Sequence, residues 1–89
     1  MRLDKYLKTS RILKRREAAK ELALQQRIKV NGRIAKPSTE IEVGDTIEIR
    51  FGYRLLEVRV LDIQKQVSKQ NAQLLFEIIK EEKLEEEDA

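Results

Sequence analysis

The sequence predicts a small domain of the α+β class, with helices first and antiparallel strands after them. Residues 3–8 and 11–26 repeat apolar side chains at the three- and four-residue spacing of helices. Asn31-Gly32 separates two short β-prone runs, which is the strongest short-range signal for a hairpin. Residues 46–51 then alternate apolar and polar side chains, as a strand with one buried face does. A run of helices followed by a run of strands is typical of this class.

Two helical segments are predicted near the N-terminus. The first, residues 3–8, carries apolar side chains at positions i, i+3 and i+4: Leu3, Tyr6 and Leu7. Tyr6 is therefore expected in the core. Ser10 is a suitable N-cap for the second segment, residues 11–26, whose alanines indicate close packing against a neighbour. A break near Lys14, which would divide this segment into two helices, stays open.

The period then changes to that of strands. Residues 28–30 and 33–35 flank the Asn31-Gly32 turn, in which both positions favour positive φ. Val43-Gly44-Asp45 predicts a second turn, and residues 46–51 a half-buried strand. A further alternating strand is predicted from residue 55 through Leu56, Val58 and Val60, and whether it reaches Ile63 stays open.

The C-terminal part of the sequence is harder to assign. Residues 64–73 are polar and predict a loop. Residues 74–79 form an apolar block with one Glu, which fits either a strand or a helix, and we favour the strand. Residues 81–89 predict a frayed acidic tail.

Composition narrows the possible functions. The 89 residues include neither Cys nor His, which disfavours disulfides, thiolate metal sites and the commonest general base. The serines have no histidine to activate them, and no glycine-rich phosphate loop is present. We therefore expect a binding protein, not an enzyme, without cofactor or metal. With no run of about 18 apolar residues and no signal-peptide core, we expect it in the cytoplasm, with no membrane contact.

Charge is concentrated at one end of the chain. The net charge is only +3, but residues 1–36 contain twelve Lys or Arg and three Asp or Glu, a net charge of +9. Residues 37–79 carry −2 and residues 80–89 carry −4. A solvated charged surface would explain scattered cations, but this many cations with few acids between them would repel one another. The asymmetry therefore favours binding to a polyanion.

Eight basic residues of the helical region are candidate RNA contacts: Arg2, Lys5, Lys8, Arg11, Lys14, Arg15, Arg16 and Lys20. On a continuous second helix, Arg11 and Arg15 would lie four residues apart, which destabilises a helix by a few tenths of a kcal/mol unless an anionic partner is present. Asp4 is expected to be structural, either capping the first helix or orienting Arg16. The acidic tail is expected to be solvated, or else to compete with RNA for the basic face.

These pieces, in this order, resemble the S-four-type RNA-binding domain, also called the alpha-L motif. The resemblance covers roughly residues 1–51 and rests on four groups: Arg2-Leu3-Asp4 with Leu7, Arg16 with Ala19 and Leu22, Val30-Asn31-Gly32, and Val43-Gly44-Asp45. It implies basic helices packed on a small, mostly antiparallel sheet. We accordingly expect an alpha-L RNA-binding core over residues 1–51, a strand extension of the same domain over 52–80, and the tail over 81–89.

Within that family the sequence is similar to the small stand-alone members of bacterial ribosome-associated quality control, which are related to the heat-shock S-four protein. The similarity is carried by residues 1–8, 14–16, 19–21 and 79–84. It implies a monomeric, non-catalytic factor that binds a stalled large ribosomal subunit, contacting 23S ribosomal RNA and P-site peptidyl-tRNA. The partner RqcH would recruit alanyl-tRNA, and the blocked nascent chain would be extended with alanines without a template. The family's arginines that contact ribosomal RNA fall on Arg2 and Arg16.

The sequence departs from the alpha-L pattern at two places. Many members have glycine just after the second helix, where Gln25-Gln26 stands here, so this cap must be strained or differently built. Arg15 stands where many members have Ser or Thr as a helix cap, which adds a cation to the basic region.

Three other functions stay open. The first is a general large-subunit recycling or assembly factor, which would bind without P-site tRNA. The second is an accessory domain of an RNA-modifying enzyme, expected only in trans because the sequence to residue 89 contains no catalytic domain. The third is a helix-turn-helix protein, which would prefer duplex DNA to folded RNA.

Overall fold

The computed structural model describes residues 1–84 and shows two helices followed by a five-stranded sheet. The helices are α1, Leu3–Thr9, and α2, Arg16–Leu24. The strands are β1, Ile28–Val30; β2, Arg33–Ile34; β3, Thr46–Arg50; β4, Arg54–Val60; and β5, Phe76–Lys83, which follows a 3-10 turn at Ala72–Leu75. The predicted α+β class is confirmed. Within residues 1–84, no helix has the length and apolar character needed to cross a membrane.

The sheet is antiparallel throughout, with strand order β2-β1-β3-β4-β5. Its side chains alternate between two faces, because successive residues of a strand point to opposite sides. One face, the core face, carries buried apolar residues of β3 and β4: Ile47, Ile49, Leu56, Val58 and Val60. The other, the outer face, carries charged residues such as Glu48 and Arg59.

Side chains of both helices and of the core face form one hydrophobic cluster. Tyr6 of α1 is fully buried in it, as predicted, and its hydroxyl donates a hydrogen bond of 2.7 Å to the carbonyl oxygen of Leu75. Burial, with the nearby charge of Asp62, raises the pKa of Tyr6 above its usual value of 10.0. The backbone N–H of Leu3 donates to the carbonyl oxygen of Thr39 at 2.7 Å, so the start of α1 is also fixed to the loop before β3.

The predicted hairpin between β1 and β2 is confirmed. Asn31 and Gly32 have φ of +53° and +83°, as the predicted turn requires. The Asn31 side chain has a further role, because its Nδ2 donates to Asp45 Oδ1 and its Oδ1 accepts from the Thr46 N–H, each at 3.0 Å. The hairpin is therefore held against the second predicted turn, in which Gly44 has φ of +96°.

The predicted start of the second helix at residue 11 is wrong, and the alternative of a break near Lys14 is confirmed, since α2 begins at Arg16. Ser10 closes α1 instead of opening α2, and its N–H donates to the carbonyl oxygen of Tyr6. Arg11 then adopts a left-handed conformation, with φ of +60°. The Leu13 N–H folds back to the carbonyl oxygen of Leu7 at 3.0 Å, and the Leu13 side chain packs against the core. The burial of Leu13 therefore stabilises the break more than a continuous helix through this segment would.

The cap at the C-terminal end of α2 is strained, which is one of the two alternatives predicted for Gln25-Gln26. Gln26 adopts the left-handed conformation usually taken by glycine, with φ of +61°. Its N–H donates to the carbonyl oxygen of Ala23, and the Arg27 N–H donates to that of Leu22, each at 3.0 Å. These two bonds form a Schellman motif, so the hydrogen bonding of a glycine cap is kept while its backbone freedom is lost.

The strands of the C-terminal half differ from prediction at their ends. β4 stops at Val60 and does not reach residue 63. Residues 74 and 75 lie in the 3-10 turn, and the predicted strand is confirmed from Phe76 onward. β5 continues to Lys83, so the prediction of a frayed tail is wrong for residues 81–83, which pair with the start of β4. Residues 85–89 of the predicted tail lie outside the described residues.

Pairing between β4 and β5 includes one irregularity. Glu57 is opposite Lys80 and Val58 is opposite Ile78, which leaves Ile79 as an extra residue in β5. This is a β-bulge, and it lets the charged end of β5 continue along β4 to the Leu84 N–H, which donates to the Tyr53 carbonyl oxygen at 2.7 Å.

Candidate nucleic-acid interface

Asp4 links the N-terminal ends of the two helices. Its carboxylate is fully buried. Oδ1 accepts a hydrogen bond of 2.8 Å from the Lys5 N–H, and Oδ2 accepts one of 3.2 Å from Arg2. Arg16 Nε lies 3.2 Å from the same Oδ2. The predicted structural role of Asp4, orienting Arg16, is thus confirmed, and the carboxylate also holds Arg2.

The ionisation of Asp4 depends on these neighbours. Burial alone would raise the pKa of this carboxyl, but Arg16, the Lys5 N–H and Arg2 together hold it below the usual value of 3.8. Asp4 is therefore charged at neutral pH, and its ion pair with Arg16 Nε fixes one edge of the Arg16 guanidinium. The Arg2 and Arg16 side chains remain 46% and 39% exposed, so each guanidinium also faces solvent.

Two adjoining concave cavities, of about 650 and 840 Å³, lie beside α1 and the segment that connects it to α2. They share Lys8 and Lys14 from this side, and Lys65 from the loop before the 3-10 turn. We call this double cavity the basic groove. Its lining contains eight cations: Lys5, Lys8, Arg11, Lys14, Arg15, Arg16, Lys65 and Lys69. Within the described part of the chain, Glu17 is the only acid in that lining.

Six of the eight predicted RNA contacts thus meet in one groove. The left-handed conformation of Arg11 turns the chain so that this residue, Lys14 and Arg15 follow the groove instead of spiralling around a helix. Arg2 lies beside the groove through its shared partner Asp4. Lys20 is one turn beyond Arg16 on α2 and lines neither cavity.

Lys65 and Lys69 are groove residues that the local sequence patterns did not predict. They form the opposite wall of the groove, about 50 residues away in sequence from the helices. A signal was available, because residues 63–76 contain two lysines and no acid in an otherwise acidic half of the chain. The contact between this loop and α1 depends on tertiary packing, which local patterns do not report.

The groove is electrostatically unbalanced. Of its eight cations, Arg16 alone takes part in an ion pair with any residue between 1 and 84. Cations that share a concave surface reinforce one another's field and attract anions. A chain of phosphates would relieve their repulsion and release counterions on binding. The groove therefore has the chemistry of a polyanion-binding surface.

This fold and surface define an RNA-binding protein of the S-four type, and comparison with known proteins confirms that class. The S4 domain family model matches residues 1–47, which include both helices, the hairpin and the Gly44 turn. A solved structure of Heat Shock Protein 15 from Vibrio cholerae, described as trimeric, has a similar fold. The TM-score is 0.81, with 32% identity, covering 88% of this chain and 80% of that one.

Curated relatives define the family more narrowly. The RQC P-site tRNA stabilizing factor of Streptococcus pneumoniae is 56% identical over 97% of this chain and 98% of its own length. The protein of the same name from Bacillus subtilis is 48% identical over 97% of this chain and all of its own length. A Heat shock protein 15 homolog of Aeromonas salmonicida is 37% identical over 86% of this chain and 59% of its own. The chain belongs to the RQC P-site tRNA stabilizing factor family, the RqcP family of ribosome-associated quality control, and the predicted resemblance is confirmed.

Proposed function

We propose that this protein binds the stalled large ribosomal subunit, contacts 23S ribosomal RNA and holds the P-site peptidyl-tRNA while RqcH supports template-free alanine tailing of the blocked chain. The names of its relatives supply the quality-control setting and the P-site tRNA. The observation that carries RNA binding is the basic groove, with eight cations and one acid in the lining that the structure describes.

Arg2 and Arg16 are the proposed contacts to ribosomal RNA. Asp4 holds both arginines by one carboxylate oxygen, so each guanidinium has fewer conformations to lose on binding. A planar guanidinium suits phosphate and base contacts better than an ammonium does. The lysines of the groove, together with Arg11, Arg15 and Lys20, would contact phosphates and supply the salt-dependent part of the affinity.

Stabilising tRNA in one ribosomal position requires preferential affinity for that state and no chemical step. We propose that shape, and not base sequence, selects the site, because structured RNA is mainly recognised by its backbone and form. We propose that the protein acts as a monomer, because one chain forms both walls of the groove. We also propose a cytoplasmic location, which the ribosomal P-site tRNA in the names of its relatives supports.

Sedimentation of the tagged protein through a gradient of cell lysate tests this function. We expect the protein to migrate with large subunits that carry peptidyl-tRNA, and we expect Arg16→Ala to move it to the top of the gradient. Arg59→Ala is the matched control, because Arg59 lies on the outer face, paired with Glu77 at 3.5 Å. Both variants remove one arginine charge, so only the position of the charge differs.

Other distributions would change the conclusion. Migration with free subunits that lack tRNA would favour a recycling or assembly factor. Binding of Arg16→Ala equal to that of Arg59→Ala would contradict the proposed role of the groove.

A further inference from the structure

A second cationic surface lies on the outer face of the sheet. Arg27, Lys29 and Arg50 surround a cavity of about 340 Å³, whose lining also includes Glu48 and apolar side chains. Three cations and one carboxylate give this surface a net charge of +2. We call it the reverse patch. None of its lining residues lines the basic groove, and the helices cover the other face of the sheet.

The cations of the outer face differ in their ion pairing between the β5 end and the reverse patch. Near β5, Arg59 pairs with Glu77 at 3.5 Å and Lys80 pairs with Glu82 at 3.1 Å. In the reverse patch, none of the three cations forms an ion pair with a described residue. Among the described residues, ion pairs therefore account for the charges at the β5 end of the outer face. They do not account for Arg27 and Arg50, whereas Lys29 lies opposite Glu48 in the β1–β3 pairing.

Two arginines of the patch are placed directly against each other. The Arg50 N–H donates to the Arg27 carbonyl oxygen at 2.8 Å, which extends the β1–β3 ladder beyond the Ile28–Ile49 pair. The two arginines are therefore cross-strand neighbours on the outer face, and like charges in that position are destabilising. An anion bound between them would offset the repulsion, and two guanidinium forks suit a phosphate.

We propose that the reverse patch binds the phosphates of a second RNA segment, so that the protein bridges two RNA elements, one on each side of its sheet. This inference rests on the proposed function, in which a small protein lies between ribosomal RNA and tRNA. The apolar Leu55 and Leu84 side chains of the patch offer a surface for a ribose or a base beside the cations. Charge complementarity alone would also suit an acidic protein segment, which the experiment separates from RNA.

The test compares two double variants that each remove two positive charges from the outer face. Arg27→Gln with Arg50→Gln alters the patch, and Arg59→Gln with Lys80→Gln is the matched control among the ion-paired residues. Affinity for purified large subunits, with and without P-site peptidyl-tRNA, is measured over a series of salt concentrations. The slope of log K against log salt is negative, and each lost phosphate contact reduces its magnitude by about 0.7–0.9. We therefore expect the patch variant to reduce this magnitude by about 2 and the affinity by about tenfold or more, with the control unchanged.

The two probes identify the second RNA segment. A loss seen only on subunits that carry peptidyl-tRNA would assign the patch to tRNA, and a loss on both would assign it to ribosomal RNA. Thermal unfolding supplies an independent readout, because relief of the Arg27–Arg50 repulsion should leave the melting temperature of the patch variant equal to or above that of the wild type.

A groove variant separates failure of this inference from failure of the proposed function. If Lys8→Gln with Lys14→Gln loses binding while the patch variant binds like its control, the reverse patch does not hold RNA and the proposed function stands. If neither variant loses affinity, both proposals fail. Unchanged RNA affinity combined with weaker capture of purified RqcH would assign the patch to a protein and overturn the inference.

Discussion

Replacing Asp4 with asparagine tests whether one buried carboxylate organises the RNA-binding arginines. Asparagine keeps the shape of the side chain and an oxygen that can accept from the Lys5 N–H, which now lies 2.8 Å from Oδ1. The change removes the charge that pairs with Arg2 and Arg16. We expect a less stable protein that also binds large subunits more weakly.

The expected loss of stability follows from the exposure of the partners. The Arg2 contact is a hydrogen bond between charged groups, a kind of bond that contributes about 1.5–3 kcal/mol, and the Arg16 contact is an ion pair at 3.2 Å. The Arg2 and Arg16 side chains are 46% and 39% exposed, so water recovers part of that energy. Allowing about 1 kcal/mol for each arginine gives a decrease of about 2 kcal/mol in the free energy of unfolding at pH 7.

The pH dependence of the stability difference distinguishes the loss of an ion pair from a general packing defect. The pKa of Asp4 lies below 3.8 in the folded state, so its contribution to stability is present above pH 4 and is lost as pH falls through the folded-state pKa. The difference in unfolding free energy between wild type and Asp4→Asn should therefore shrink in acid. Urea unfolding followed by circular dichroism at several pH values between 3 and 7 measures it. A difference that stays constant over this range would refute the electrostatic explanation.

Subunit binding by Asp4→Asn provides a second, independent test. The substitution makes the net charge more positive by one, so a purely charge-driven interaction would become tighter. If Asp4 acts by orienting Arg16, affinity should instead fall by several-fold. Tighter binding would show that the position of the guanidinium does not matter.

Three further predictions follow from other parts of the molecule. Gln26→Gly should raise the free energy of unfolding by about 0.5–1 kcal/mol in urea titrations, because glycine adopts the left-handed cap without strain; a destabilised variant would contradict this. Tyr6→Phe should cost only about 1 kcal/mol by the same measurement, because the Leu75 carbonyl oxygen keeps the N–H of Leu61 at 2.8 Å when the hydroxyl is lost. Lys65→Gln with Lys69→Gln should weaken binding to tRNA-loaded subunits and reduce the magnitude of the salt slope by about 2 without changing stability; an unchanged slope would remove the loop from the interface.

Local patterns predicted the parts of the fold that local chemistry determines. Asn31-Gly32 specified the hairpin because few other residue pairs accept positive φ at both positions. The alternation of β3 was readable because one face is buried and the other is solvated. Six groove cations were identified from their crowding in sequence, since α1 and the connecting segment bring them together.

The errors occur where distant contacts override local preference. Arg11 follows the first helix in a left-handed conformation, which an arginine does not predict. Burial of Leu13 compensates for that strain. The polar sequence at the acidic end of β5 predicts a tail, but residues 81–83 pair with β4 because backbone pairing does not require apolar side chains. Lys65 joins the groove through packing across the molecule, which a single sequence does not encode locally.

The bulge at Ile79 has a consequence for how copies of this protein behave towards one another. β5 is an edge strand of eight residues, and such edges can recruit further strands and start aggregation. The extra residue interrupts the regular row of free N–H and C=O groups, and Lys80 to Lys83 place charges along the remainder. A second strand laid against this edge would lose its hydrogen-bond register halfway along. Deleting Ile79 would straighten the edge, so the variant should aggregate more readily at high concentration, although no residue of the basic groove is altered.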